Sequence, residues 1–499
     1  MQQDERSRML GTMKMTRLIP KVSVPIMISM TVQAAYNVVD SIYISRYDPD
    51  GLTAVSLAYP FQMLMIALSV GMGTGIASLV SRKLGEGRRD EARKASWNGL
   101  LIEAAGWLLF ALVGLLLAPV LVGLVVNEET LVNAAGIRQM SETYLSIVTT
   151  FSLGLFMSVL VERLLQATGN TMLSMITQIC GAVTNIILDP IFIFNLNMGV
   201  KGAAIATIIG QFTSAGVGFV LNQTRNKELR LSLKDFGISW PSIRGIVAVG
   251  IPSAVMQAIG SVMNVGLNAI LSGFAEVGNA AVNVLNVYFK LQSFIFMPCF
   301  GLGSGMIAIV GYNYGARAKE RVYEAIKVAL RYAMIIMLVG TLIFQMFPDT
   351  LMSVFDSGEA APVTETATAD DLPGDETATA VTAGGEAAGD DESAQKRQVA
   401  AQMREMGPAA LQTISLCFIM AAIGITLSNV FQALGKGMYS MILSICRQLA
   451  VLLPSALLLK IIFGTVGAVW WAFLIAEGVS CVLCLLMYRK IRRDVLESL

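Results

Sequence analysis

The chain has 499 residues, 55% of them hydrophobic and only 14% charged. A soluble protein could not hide that much apolar surface, which leaves an integral membrane protein. Its 36 basic and 35 acidic residues give no excess for a nucleic-acid partner, and the absence of histidine removes His-based triads, His metal sites and His proton relays.

Apolar stretches of about 20 residues, enough to cross a bilayer core of ~30 Å, can be drawn twelve times. The first six are expected near 18–46, 53–83, 96–126, 140–167, 172–194 and 200–222. The second six are expected near 243–272, 279–314, 324–347, 408–434, 439–463 and 465–488. The expected fold class is all-α and integral to the membrane, twelve transmembrane helices in two homologous six-helix bundles. The bundles divide as an N-terminal lobe over 1–224, a linker over 225–242 and a C-terminal lobe over 243–499.

Span one carries Pro25, Asn37 and Asp40; a proline in a helix frees the carbonyl four residues back, here Lys21, so a bend is expected near Pro25. Span two holds Gly71-Met72-Gly73-Thr74-Gly75 followed by Gly85. No strand precedes this run and no Gly-Lys-Ser/Thr follows, so it reads as a close helix-packing motif and not a nucleotide loop. Glu103 lies in span three and Glu162 and Arg163 in span four, where they are expected to pair with one another or with the ends of neighbouring spans. Span five has Asn185 and Asp189 one turn apart, then Pro190, which frees the carbonyl of Ile186.

Asp40 stands six residues before Arg46 and Asp189 six before Asn195, so both lie roughly 9 Å inside the same end of their helices. Thr207 of span six, seven residues after Val200, reaches about the same depth. Two carboxylates a few ångströms apart at low dielectric cannot both stay charged comfortably; they share a proton or hold a small cation such as Na⁺ with the Asn and Thr oxygens.

The second half restates the first. Gly301-Leu302-Gly303-Ser304-Gly305 and Gly315 follow the span-two glycines at an offset of 230, and Pro252 and Asn264 answer Pro25 and Asn37. The segment QATGNTMLSMI from Gln166 returns as QALGKGMYSMI from Gln432, an offset of 266. Two homologous halves with a site between them are how many secondary transporters are built. Asp40, three after Asn37, falls opposite Leu267; Asn185 and Asp189 fall opposite Val451 and Ser455 by the offset of 266; and Thr207 falls opposite Ala472 by the offset of 265 from Gly202 to Gly467. A cluster required only by the shared scaffold would recur in both halves, so coupling is assigned to the first.

Lys and Arg gather before span one, after spans two, six and eight, and at the C-terminus, which puts both termini in the cytoplasm of a multi-pass plasma (inner) membrane protein. The stretch 349–407, between spans nine and ten, is acidic, has almost no large apolar residue in its core and is expected to be a disordered external insertion with helical flanks. All six cysteines lie inside spans, and the C-x-x-C at Cys481 and Cys484 has no other soft ligands near it in sequence. Arg447 and Glu477 are expected to form an interhelical tie.

The two-lobed repeat, the glycine-rich second and eighth spans, the Q-A-x-G segments and the span-one aspartate resemble the multidrug and toxic compound extrusion (MATE) family over essentially the whole chain apart from the insertion. Asp40, Asn185, Asp189 and Thr207 are similar, with their separations, to the N-lobe cation site of the DinF-like and archaeal branch. Spans seven and ten lack the acidic residues of the NorM-like branch. The resemblance implies a V-shaped pair of bundles, alternating access, and efflux of organic cations and amphipathic drugs as Na⁺ or H⁺ enters, with no other cofactor. One chain contains both halves, and neither an enzymatic activity nor an obligatory protein partner is expected. Polarity on apolar helices nominates Gln33, Tyr36, Asn37, Met256, Gln257, Met263, Asn264, Asn283, Asn286 and Lys290 for the substrate cavity. The alternatives are a flippase for lipid-linked precursors, which would need several cationic groups in the cavity, and a non-transporting scaffold working through its acidic loop; deleting residues 357 to 396 would separate the scaffold from a transporter.

Overall fold

The structure is a computed structural model describing residues 5–126, 133–356 and 386–497. A short helix α1 (Glu5–Thr12) precedes α2 (Met15–Tyr47), α3 (Pro49–Gly85), α4 (Arg89–Gly123), α5 (Ala134–Thr150), α6 (Leu153–Ala167), α7 (Thr171–Pro190) and α8 (Gly199–Arg225). The second half has α9 (Trp240–Ser272), α10 (Gly278–Gly315), α11 (Lys319–Met346), α12 (Pro348–Asp356), α13 (Glu386–Ser415), α14 (Phe418–Ala433), α15 (Gly437–Ile445), α16 (Leu453–Phe463), α17 (Val466–Val469) and α18 (Trp471–Ile491). Among the described residues ten helical segments are long and apolar enough to cross a membrane, and two bent pairs, α5 with α6 and the Arg397–Ser415 part of α13 with α14, bring the number to twelve. These coincide one for one with the twelve expected spans. Both flanks of the acidic stretch are helical, in α12 and the first turns of α13, and residues 357–385 lie outside the described part.

The halves meet through α2, α3, α9 and α10, and the repeated glycines make that contact. A Cβ on Gly71 would stand 2.7 Å from the Cα of Ala254 on α9, and one on Gly301 would stand 2.9 Å from the Cα of Met27 on α2. One turn on, Gly75 faces the backbone of Ile246 and Gly305 faces Ser23. The middle glycine of each run turns to its own half instead: Gly73 lies against Val159 and Arg163, Gly303 against Asn429. Each run therefore packs one edge across the seam and one inward, because only a missing side chain lets two helices approach so closely. Gly169 and Gly435 of the two Q-A-x-G segments both have φ +77°, the left-handed turn that ends α6 and α14.

Spans four and ten are broken where the sequence reads as continuous apolar helix, with bends of 45° and 49°. Both breaks are relieved by one device. Trp107 Nε1 of α4 donates to the Thr150 carbonyl at 3.1 Å, and Thr341 Oγ1 of α11 donates to the Ser415 carbonyl at 3.2 Å. Ser152 and Ser415 hydroxyls take the carbonyls of Thr149 and Gln412. Side chains of the neighbouring helix thus satisfy carbonyls that the helix gives up, which is what allows a kink at membrane depth.

Both described chain ends lie on one face, where Lys319 Nζ donates to the Glu497 carbonyl at 3.4 Å. On this terminus face α1 bridges the halves. The Leu10 carbonyl accepts from Asn313 Nδ2 (2.9 Å) and Arg321 Nη2 (3.1 Å), and the Met13 carbonyl from the same Arg321 nitrogen (2.9 Å). On the other side Ser7 Oγ donates to Glu228 Oε1 at 2.6 Å, and the Leu10 side chain, fully buried, abuts Gly169. The linker itself is laced to α4: Trp97 Nε1 donates to the Ser232 carbonyl (2.9 Å), and Asn98 exchanges hydrogen bonds with Gly237 and Ser239.

Candidate functional site

The site is built where α2, α7 and α8 pack on one another. At the end far from the termini, the Tyr43 and Phe194 rings meet edge-on at 6.2 Å, and Tyr47 meets Phe194 at 5.9 Å. Asp40 is three residues inward of Tyr43 and Asp189 five inward of Phe194, so the two carboxyls sit within about 3 Å of the same depth. Asp40 is within electrostatic reach of Asp189. On α8, Gly202 lies against the backbone of Phe192, and a Cβ on Gly210 would stand 3.2 Å from that of Asn185. Thr207 falls between these contacts, level with the Asn185–Asp189 turn. The structure therefore brings Asp40, Asn185, Asp189 and Thr207 to one level on three packed helices.

Asn185 Nδ2 donates to Asp189 Oδ1 at 3.1 Å, the i to i+4 bond that their spacing calls for. Asp189 is fully buried, Asn185 nearly so, and Asp40 and Thr207 half-buried. Asp40 Oδ1, Asn185 Oδ1 and Asp189 Oδ2 are buried without a hydrogen-bond donor among the described residues. A buried acceptor left without a donor costs on the order of 1–3 kcal/mol, so three on neighbouring helices form a site suited to a proton or a hard cation.

The helix α2 runs unbroken through Pro25. Beyond Pro190 the backbone goes directly into a π-helical turn, Ile191–Asn195, the wider winding that accommodates carbonyls released by the proline. Of the residues nominated for a cavity, Gln33, Asn37, Gln257, Asn264, Asn283, Asn286 and Lys290 are exposed, whereas Tyr36, Met256 and Met263 are half-buried. All but Met256, which stands at the midpoint of α9, lie in the half of their helices away from the termini. The seam glycines lie in the other half, where Gly71–Ser81 and Gly305–Gly311 are continuously buried.

The expected Arg447–Glu477 tie is present at 3.2 Å, from the π-helical segment Cys446–Leu452 to α18. Of the two expected pairings, Glu162 makes one to a neighbouring span and Arg163 a local one: Glu162 Oε2 accepts from Gln178 Nε2 of α7, and Arg163 Nη1 donates to Gln166 Oε1 at 2.9 Å. Gln166 in turn reaches Ser174 (3.0 Å), and Glu103 accepts from Ser69 at 3.0 Å. Sequence reasoning did not single out Gln178. Its signal is the seven-residue spacing from Asn185, two turns down the same face of α7.

Residues 25–191 and 252–369 match the MatE family. A protein of Thermotoga maritima described as probable multidrug resistance protein NorM is 27% identical over 350 residues, 68% of this chain and 71% of its own length. The multidrug export protein MepA of Staphylococcus haemolyticus is 23% identical over 473 residues, covering 94% of this chain and 92% of MepA. Among solved structures, a multidrug resistance MATE family transporter of the MOP superfamily in an outward-facing conformation superposes with a TM-score of 0.84 at 23% identity, covering 99% of both chains. A MATE crystallised in complex with MaL6 gives the same TM-score at 24% identity over 98% of this chain and 99% of the other.

Proposed function

This chain belongs to the MatE family, and on that premise we propose that it is a secondary multidrug exporter, moving organic cations and amphipathic compounds out of the cell in exchange for Na⁺ or H⁺. The relatives named as multidrug export and resistance proteins support the substrate class. The observation that carries the coupling is the cluster of donor-less acceptor oxygens on Asp40, Asn185 and Asp189, confined to one of two homologous halves. In this reading Asp40 and Asp189 hold the ion, Asn185 fixes the Asp189 rotamer, and Thr207 supplies a hydroxyl. Pro25 and Pro190 mark where α2 and α7 can change curvature as the ion arrives.

The terminus face is the cytoplasmic one, by the Lys and Arg excess on that side. The lobes divide at the linker 225–242. Substrate enters the space among the exposed polar residues of α2, α9 and α10, Gln33, Asn37, Gln257, Asn264, Asn283 and Asn286, since exposed polar groups at that depth belong beside water and not beside lipid. Ethidium efflux from cells expressing wild type or Asp40→Asn, with the Na⁺ and proton gradients collapsed separately, tests this reading. Wild type should pump, Asp40→Asn should not, and the gradient whose collapse stops wild type names the ion; equal efflux by both proteins would remove the cluster from the mechanism.

A further inference from the structure

The N-terminal half contains more buried polar chemistry than one ion site uses. Along a single face of α7 stand Asp189, Asn185 and Gln178, and all three have a buried oxygen without a donor among the described residues: Oδ2, Oδ1 and Oε1. Asn185 and Gln178 are two turns apart, about 10 Å. At the inner end of this track, Gln178 Nε2 donates to Glu162 Oε2, while its own carbonyl oxygen is buried without a donor among the described residues. Glu162 is only 9% exposed. Tyr36 of α2 is within electrostatic reach of Glu162 as well as of Asp40 and Asp189.

Arg163 is within electrostatic reach of Glu162 but shares its charge with Glu103. Arg163 on the same helix is turned to Gln166, and Glu103 of α4 is held by Ser69 with its Oε1 left without a donor. The repeat again serves as a control. At an offset of 266, Glu162, Arg163 and Gln178 correspond to Ser428, Asn429 and Ser444, and at 230 Glu103 corresponds to Ala333. The second half builds the same helices, including the same break and the same Q-A-x-G turn, without any of these charges. An acid that costs ~2.5–3.5 kcal/mol to place within a membrane span, and that the scaffold does not need, calls for a use.

We infer that Glu162 is a second ion-holding carboxylate of the transport cycle, reached from Asp189 along the Asn185 and Gln178 face of α7, from which the ion leaves toward the terminus face. The inference rests on the coupling reading given above. The acceptor oxygens of this track can coordinate a small monovalent cation in sequence or hold water that carries a proton past them, the carboxylates being the groups protonated, and the ion used at Asp189 is the ion passed on. Gln178 orients Glu162, and its carbonyl oxygen is the stepping point.

Purified protein in vesicles of uniform orientation provides the test, with ethidium transport driven by Na⁺ or proton gradients imposed separately and each ion then varied on one side at a time. Asp40→Asn should lose gradient-driven transport altogether. Glu162→Gln should bind ethidium within about twofold of wild type, yet transport it at least about tenfold more slowly and lose its dependence on the terminus-side ion concentration. Glu162→Asp should recover most of both. Gln178→Met, which removes only the stepping oxygen and the amide donor, should show the same one-sided loss and decides the matter if Glu162→Gln does not fold. Wild-type rates with an unchanged terminus-side dependence in Glu162→Gln, or in Gln178→Met where that variant decides, would overturn the inference while Asp40→Asn still reports on the coupling reading; transport by Asp40→Asn at the wild-type rate would remove both.

Discussion

Gly85 and Gly315 are reciprocal: a Cβ on Gly85 would overlap the carbonyl oxygen of Tyr312, and a Cβ on Gly315 would overlap the carbonyl oxygen of Arg82. The two ends of α3 and α10 therefore cross without side chains between them. Gly85→Ala or Gly315→Ala is expected to force the seam apart at the terminus face and to lower stability by about 1–3 kcal/mol, the usual cost of overpacking. Gly216→Ala, at a helical position with no atom within 4 Å of the added carbon, is expected to be neutral or to stabilise by up to about 1 kcal/mol. Thermal unfolding in detergent, comparing the three variants, distinguishes seam contact from a general intolerance of alanine.

In the proposed coupling Asp40 and Asp189 hold one ion and should fail as a unit. Asp40→Asn and Asp189→Asn are each expected to reduce gradient-driven ethidium transport at least about tenfold. The double variant is expected to be no slower than the worse single one, because residues that serve a common step are not additive. A double variant slower by the product of the two single losses would mean two independent sites.

Deleting residues 1–12 takes away the Leu10 carbonyl that Asn313 and Arg321 hold, and leaves the Asn313 amide and the Arg321 guanidinium short of an acceptor. The closed terminus face should open more often. Ser78, fully buried with its hydroxyl on the Gln432 carbonyl at 2.6 Å, reports on this. In a background without the native cysteines, Ser78→Cys is expected to react severalfold faster with a maleimide supplied from the terminus face once α1 is gone; an unchanged rate would assign α1 to anchoring alone.

The Arg447–Glu477 pair should matter for stability and not for coupling. Its side chains are 26% and 14% exposed, so Glu477→Gln is expected to cost about 1–3 kcal/mol, below the 3–5 kcal/mol of a fully buried pair. The exchanged pair Arg447→Glu with Glu477→Arg should regain part of that loss. Ion dependence of transport, measured at a temperature where each variant is folded, should stay at wild type.

Much of the architecture was legible because it repeats. Two glycine runs at a fixed offset marked α3 and α10 as closely packing helices, and apolar length alone located all twelve spans. Depth counting from span ends brought Asp40, Asn185, Asp189 and Thr207 to one level, since a helix rises by a constant amount per residue. The breaks in spans four and ten were not legible. They depend on Trp107 and Thr341, side chains of other helices that take the Thr150 and Ser415 carbonyls, and local sequence around Phe151 or Leu416 holds no proline or glycine at the break to announce them. For Glu162 the sequence left a local pair and a neighbouring span both open; the structure gives its hydrogen bond to Gln178 of α7, a residue well inside that helix, because rotation about the helix axis aims Glu162 and Arg163 at different hydrogen-bond partners.

The position of α1 also orders events during synthesis. Its anchors Asn313 and Arg321 lie 303 and 311 residues beyond Leu10 in the chain, which at ribosomal speed is roughly 15 to 60 s of further elongation. Helix α1 is thus unable to take its place until the eighth and ninth spans have been inserted. The bridge across the terminus face closes only over a chain whose second half has arrived, so a truncated or stalled product keeps its first helix loose and exposed to the quality-control proteases of the cell.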